Sequence, residues 1–162
     1  MSLTPARCLI LACGNTLRGD DGVGPCLAEW AENRFCAETA VRVLSRQQWT
    51  PELAEDIAYA ESVLFIDCSA ETAPGSVQLV SVQPATGAQG LATHHLDAAE
   101  LLSLAYEFFA SLPVQADLIT IGAGSTELGE KFSNAVTAAL PTARNLIEET
   151  VSRLLHEIKP VH

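Results

Sequence analysis

Continuous apolar runs alternate with amphipathic stretches along this chain. Residues 7–13 (RCLILAC) are an unbroken apolar run closed by Gly14, and their length and flanks predict a buried strand. A loop rich in Gly and Asp covers 14–24. Val23, Cys26, Leu27 and Trp30 then share one face of a helix predicted over about 23–35. Residues 39–44 read as a second strand. At Thr50-Pro51-Glu52 the helix-start residues line up: Thr as N-cap, Pro at the first helical position, Glu in the first turn. The helix they predict is short, ending near Tyr59. Residues 62–67 (SVLFID) predict another buried strand, one that stops on a carboxylate. Residues 76–82 read as a strand after a turn at Pro74-Gly75, and 84–93 as a loop. Asp97 and Glu100 form a capping-box-like pair before Leu101, Ala105, Phe108 and Leu112. A strand over 117–121 is closed by Gly122 and Gly124. The last helix is predicted over 133–158, where Val136, Leu140, Ala143, Ile147, Val151, Leu154 and Ile158 recur at steps of three and four. Pro141 either kinks that helix or marks a late start.

Strands alternating with helices predict an α/β fold, a three-layer αβα sandwich around a mostly parallel, twisted, five-stranded sheet. The link between 62–67 and 76–82 is too short for a parallel crossover. The later strand is therefore expected to be the antiparallel hairpin partner of the earlier one. No repeat, low-complexity tract or second-domain signal appears, so residues 1–162 read as one domain.

Composition narrows the function classes. At 48% hydrophobic and 18% charged residues, the chain has ample material for a packed core. Its net charge of −11, with nine basic residues spread along the whole length, argues against a nucleic-acid partner. A protein partner with a basic segment suits that surface better. No segment approaches the roughly 20 apolar residues that span a bilayer, and the N-terminal apolar run is too short for a signal peptide. The five cysteines show no CxxC pair; Cys8, Cys13 and Cys68 read as small buried hydrophobes, which points to a reducing compartment and a cytoplasmic location.

Open α/β sheets bind ligands beyond the carboxyl ends of their strands. Two predicted strands end there in polar residues, one in Gly14–Gly24 with Asp20 and Asp21, the other in Asp67-Cys68-Ser69. The first loop lacks the lysine of a phosphate loop, and its glycines do not fit GxGxxG. Its adjacent aspartates favour a positively charged guest, the plain alternative being a tight turn with solvated carboxylates. Asp67 follows four apolar residues, where a carboxylate is costly unless paired, capping a loop or bound to metal. His94 and His95 precede a helix start, whose dipole favours the neutral, metal-binding imidazole; a solvated loop position is the alternative. Two aspartates and a histidine would suit a divalent ion such as Ni, Zn, Mn or Fe with open positions and modest affinity. Cys68, beside Asp67, is the cysteine closest to this chemistry, but an acidic neighbour raises a thiol pKa.

The segment LACGNTLRGDDGVGP resembles the opening signature of the [NiFe]-hydrogenase maturation endopeptidases: an apolar strand, Gly-Asn, an acidic pair and Gly-x-Gly. VLFIDCS is similar to that family's strand ending in Asp, and ATHHLDAAELL to its histidine just before a helix. QQWTPELAE and GAGSTELGEKFS also resemble family segments, so the likeness covers nearly the whole chain. It implies an endopeptidase that trims the C-terminal extension of the hydrogenase large-subunit precursor after nickel insertion. The family's metal-contacting carboxylate falls on Asp21, its strand-end aspartate on Asp67 and its histidine on His94. Where some members carry Glu, this chain has the shorter Asp21. Where some carry a Gly-rich segment after the second strand, it reads Ser45-Arg46-Gln47-Gln48-Trp49, which bears on substrate preference. The implied nickel arrives with the precursor, and the scissile bond is attacked by water activated either by the metal or by a carboxylate. A non-enzymatic nickel- or partner-binding module and a general zinc peptidase are the rival readings; the lack of HExxH weighs against the second.

Overall fold

The computed structural model describes residues 6–85 and 96–157. The expected site histidine His94, its neighbour His95, most of the expected 84–93 loop and Ile158 lie outside the described residues. Five strands form one sheet: β1 (Cys8–Cys13), β2 (Val41–Arg46), β3 (Ser62–Ser69), β4 (Val77–Ser81) and β5 (Gln115–Gly122). Their spatial order is β2-β1-β3-β5-β4. β1 pairs in parallel with β2 and β3, and β3 in parallel with β5. β4 runs antiparallel along β5. Four helices flank the sheet: α1 (Val23–Arg34), α2 (Leu53–Ala58), α3 (Ala98–Phe109) and α4 (Asn134–Glu157).

Period-two alternation divides each central strand between two cores. Cys8, Ile10 and Ala12, with Leu64, Ile66, Ile119 and Ile121, pack against α1 and α4. Leu9, Leu11 and Cys13, with Val63, Phe65 and Ala116, pack against α2 and α3. The unbroken apolar run of β1 is thus the signature of a strand covered on both sides. The three-layer α/β expectation holds, with a mostly parallel five-stranded sheet and one antiparallel strand.

The expected hairpin does not form as drawn. β4 is antiparallel, but its partner is β5, which inserts between it and β3. β5 is apolar toward both layers and belongs inside the sheet, whereas Gln78, Leu79, Val80 and Ser81 of β4 are exposed and suit an edge. β3 also continues past Asp67, because Cys68 and Ser69 still pair with Ile121 and Gly122. At α2, Thr50 is not a side-chain cap. Its carbonyl accepts from Leu53 N and that of Pro51 from Ala54 N, and the helix begins after this turn. Phe108 and Leu112 are exposed rather than part of the buried face of α3, which is Ala98, Leu101, Leu102 and Ala105. α4 runs uninterrupted through Pro141.

The capping box of α3 forms as its sequence predicts. Glu100 N donates to Asp97 Oδ1 at 2.8 Å, and Asp97 N donates to Glu100 Oε1 at 3.3 Å. Asp97→Ala should lower stability by about 1 kcal/mol. Urea unfolding monitored by circular dichroism checks this as a reduced midpoint with an unchanged slope.

Candidate functional site

The chain leaves β1 for β2 by way of α1 on one face, then crosses from β2 to β3 by way of α2 on the other. The direction of winding therefore reverses between β1 and β3, and a crevice opens beyond their carboxyl ends. A cleft of about 570 Å³ lies there. Its walls come from the end of β1 and the loop after it (Cys13, Gly14, Asn15, Arg18, Asp21), from Gln47, Gln48 and Trp49 after β2, from Asp67 and Cys68 of β3, and from Leu96 just before α3.

Register explains how β1 and β3 deliver their residues. The parallel pairing runs from Cys8 opposite Ser62 to Ala12 opposite Ile66, and one more step sets Cys13 against Asp67. The Cys13 thiol donates to Asp67 Oδ1 at 3.4 Å, and Cys68 N donates to the same oxygen at 2.8 Å.

The loop after β1 tightens into a 3₁₀ turn over Gly19–Gly22. Three residues per turn rotate successive side chains by about 120°, so the adjacent aspartates cannot face the same way. Asp21 lines the cleft, where its Oδ2 accepts from Asn15 N at 2.7 Å. Asp20 turns inward and is 0% exposed. Its Oδ2 accepts from Gly124 N (2.7 Å), Ser125 N (2.9 Å) and Ser133 Oγ (2.7 Å), while Oδ1 accepts from Ser133 N (2.7 Å). Gly19 N donates to Gly129 O and Asp20 N to Ser125 O, so the site loop is laced to the loop between β5 and α4. Two glycines permit these close approaches. A Cβ on Gly14 would fall 1.9 Å from Asp21 O, and one on Gly24 would fall 2.3 Å from Cys13 O.

Burial by itself raises the Asp20 carboxyl pKa. The hydrogen bonds from Ser133, Ser125 and Gly124 outweigh it and hold the pKa below its ordinary 3.8. The cleft thiols go the other way. Burial, then the charges of Asp21, Asp67 and Asp20, push Cys68 up to about 12. Burial, the Asp67 charge and the hydrogen bond to Asp67 push Cys13 strongly upward as well. Both stay protonated at neutral pH in the absence of a cation, so neither is a thiolate nucleophile. All five cysteines are free.

Of the residues expected to gather, Asp21 and Asp67 do line one cleft; His94 lies outside the described residues. Asp20 does not join them. Among the described residues no three His, Cys, Asp or Glu groups are placed to hold a metal together. The cleft positions of Arg18, Gln47, Gln48 and Trp49 carry no local chemical signal; they follow from the strand order, which is nonlocal. A partial signal for Asp20 was its place in a 3₁₀-compatible Gly-Asp-Asp-Gly run, where only one carboxylate can face out. No helix among the described residues is long and apolar enough to cross a membrane.

Asp20→Asn should cost about 3 kcal/mol, because amide hydrogens would face donors and buried N–H groups would lose their acceptor. Since the folded pKa is depressed, the stability from Asp20 ionisation is complete above about pH 4 and is lost as pH falls through the folded value. Urea unfolding from pH 6 to pH 2 should show a steeper acid loss in the wild type than in Asp20→Asn.

No protein-family model matches the sequence. The hydrogenase 2 maturation protease of Escherichia coli (strain K12) is 26% identical over 157 residues, spanning 94% of this chain and 91% of that protein. The solved structure of the hydrogenase maturating endopeptidase HybD from E. coli matches the fold with a TM-score of 0.72 at 22% identity, covering 91% of this chain and 93% of that one. The [NiFe] hydrogenase maturation protease HycI from Thermococcus kodakarensis KOD1 matches with a TM-score of 0.66 at 26% identity, covering 93% and 94%.

Proposed function

We propose that this chain, which belongs to the hydrogenase-maturation endopeptidases, removes the C-terminal extension of a [NiFe]-hydrogenase large-subunit precursor after nickel insertion. In this reading Asp21, Asp67 and His94 grip the precursor's nickel and so place the scissile bond. The nickel is part of the substrate, not a resident cofactor. The observation that carries the reading is that Asp21 and Asp67, delivered by two different strand ends, line one cleft at the switch point of the sheet.

The cleft's electrostatics support a cationic guest. After burial, the larger cause, its carboxylates raise the neighbouring thiols further, and a bound divalent ion would relieve that negative charge. Holding the metal converts attack on the peptide into a positioned, effectively unimolecular step. Water is then activated by polarisation at the metal or by a carboxylate acting as general base. The five free cysteines agree with action in the cytoplasm.

Intact-mass spectrometry of a large-subunit precursor incubated with the protein tests this. A C-terminal peptide should leave the nickel-loaded precursor and not the nickel-free one. Asp21→Ala and Asp67→Ala should each slow cleavage by at least about 100-fold. His94→Ala should do the same and His95→Ala should not. Equal cutting of nickel-free precursor would discard the metal-reading mechanism and keep the peptidase. Failure to cut several precursors would discard the peptidase reading.

A further inference from the structure

Trp49 belongs to two environments. It is 7% exposed and packs edge-on against Phe65, with ring centroids 5.4 Å apart and planes at 67°. It also forms part of the cleft wall beside Gln47 and Gln48. Its Nε1 is buried and has no hydrogen-bond partner among the described residues. Buried indole N–H groups are nearly always paired, so an orphan on a residue of the cleft wall is a donor available to a group outside the described residues. Thr72 Oγ1, Ser76 Oγ and Arg144 Nε are also buried without partners, but none of those residues lines this cleft.

The surroundings narrow the acceptor's chemistry. Asp21 and Asp67 outnumber the one cation among the described wall residues, Arg18, so the cleft favours a neutral oxygen over an anionic one. Gln47 and Gln48 are exposed and offer amides, each able to donate and accept. The bend they form follows β2, an edge strand, so an extended chain can approach this wall from solvent. A neutral oxygen flanked by alternating donors and acceptors is the pattern of a peptide backbone.

We propose that the Gln47-Gln48-Trp49 wall reads the backbone of the precursor segment that crosses the cleft. Trp49 Nε1–H donates to a main-chain carbonyl, and the two glutamine amides take the adjoining backbone groups. This role rests on the peptidase reading above and adds a substrate-binding element to it. It involves no contact with the reacting atoms, so its signature is in KM rather than kcat.

The test uses the full chain and nickel-loaded precursor, with cleavage followed by intact mass over a range of precursor concentrations. Trp49→Phe keeps an aromatic ring against Phe65 and removes the donor. It should raise KM by about tenfold, the loss of one neutral hydrogen bond, with kcat within about twofold. The double variant Gln47→Ala/Gln48→Ala touches exposed positions outside the core. It should raise KM severalfold at an unchanged thermal midpoint, and it decides the matter if Trp49→Phe does not fold. Unchanged KM in the variants while the wild type still cuts would overturn the inference and leave the peptidase standing. A wild type that cuts no precursor would remove both. A fall in kcat at constant KM would also overturn it, since that is the mark of a group acting at the reacting bond.

Discussion

The fully buried carboxylate of Asp20 is the interaction on which the geometry of the cleft depends. An ion at that depth survives only because donors take the place of water, and here they come from Gly124, Ser125 and Ser133. Those donors belong to the connection between β5 and α4, over 100 residues away along the chain. The clamp therefore ties the loop of the first strand to the far half of the sheet. With Asp20 held inward, the 3₁₀ turn leaves Asp21 facing out, and the Asn15 amide fixes one of its oxygens. Each member of the Asp-Asp pair thus depends on the other's opposite orientation.

Most of the fold can be read from local pattern because its strong signals are local. The run of β1, the capping box at Asp97 and the stripe of α4 each specify their element without help from the rest of the chain. What local pattern misreads is what depends on distant partners. Whether β4 pairs with β3 or β5 is decided by which strand most needs burial on both faces, and that competitor lies more than thirty residues further on. Phe108 looks like core on the helical stripe and is exposed, because α3 buries its Leu101, Leu102 and Ala105 side instead. The site shows the same division. Asp21 and Asp67 are visible as polar residues at strand ends, but Asp20 is indistinguishable from Asp21 until Ser133 is brought to it. The wall from Gln47 to Trp49 becomes a wall only through the order β2-β1-β3.

The two layers also differ in what they contribute. The α1/α4 side carries an ion pair between buried Asp117 Oδ2 and half-buried Arg153 Nη2 at 2.5 Å, where β5 meets α4. That pair has its charges matched and asks for nothing further. The α2/α3 side carries the strand face on which Cys13, Phe65 and Asp67 alternate, and it is this face that reaches the cleft.

The donor set itself argues for a metal that comes with the substrate, given the proposed ligands. Asp21 has one oxygen committed to Asn15 N, and Asp67 has one committed to Cys68 N and the Cys13 thiol. Each carboxylate therefore has an oxygen whose lone pairs are shared with these donors, which weakens it as a metal ligand. Adding the proposed imidazole gives a set with neither a histidine pair nor a thiolate, since the thiols at hand are held protonated. Such a set suits contact with an ion already held by other groups better than capture of a free one. A weak grip is also what a processing enzyme requires: a site that bound nickel tightly would draw the metal out of the precursor it is meant to finish. In the proposed reading, the hydrogen bonds on the two carboxylates match the site to inspecting a metal without keeping it.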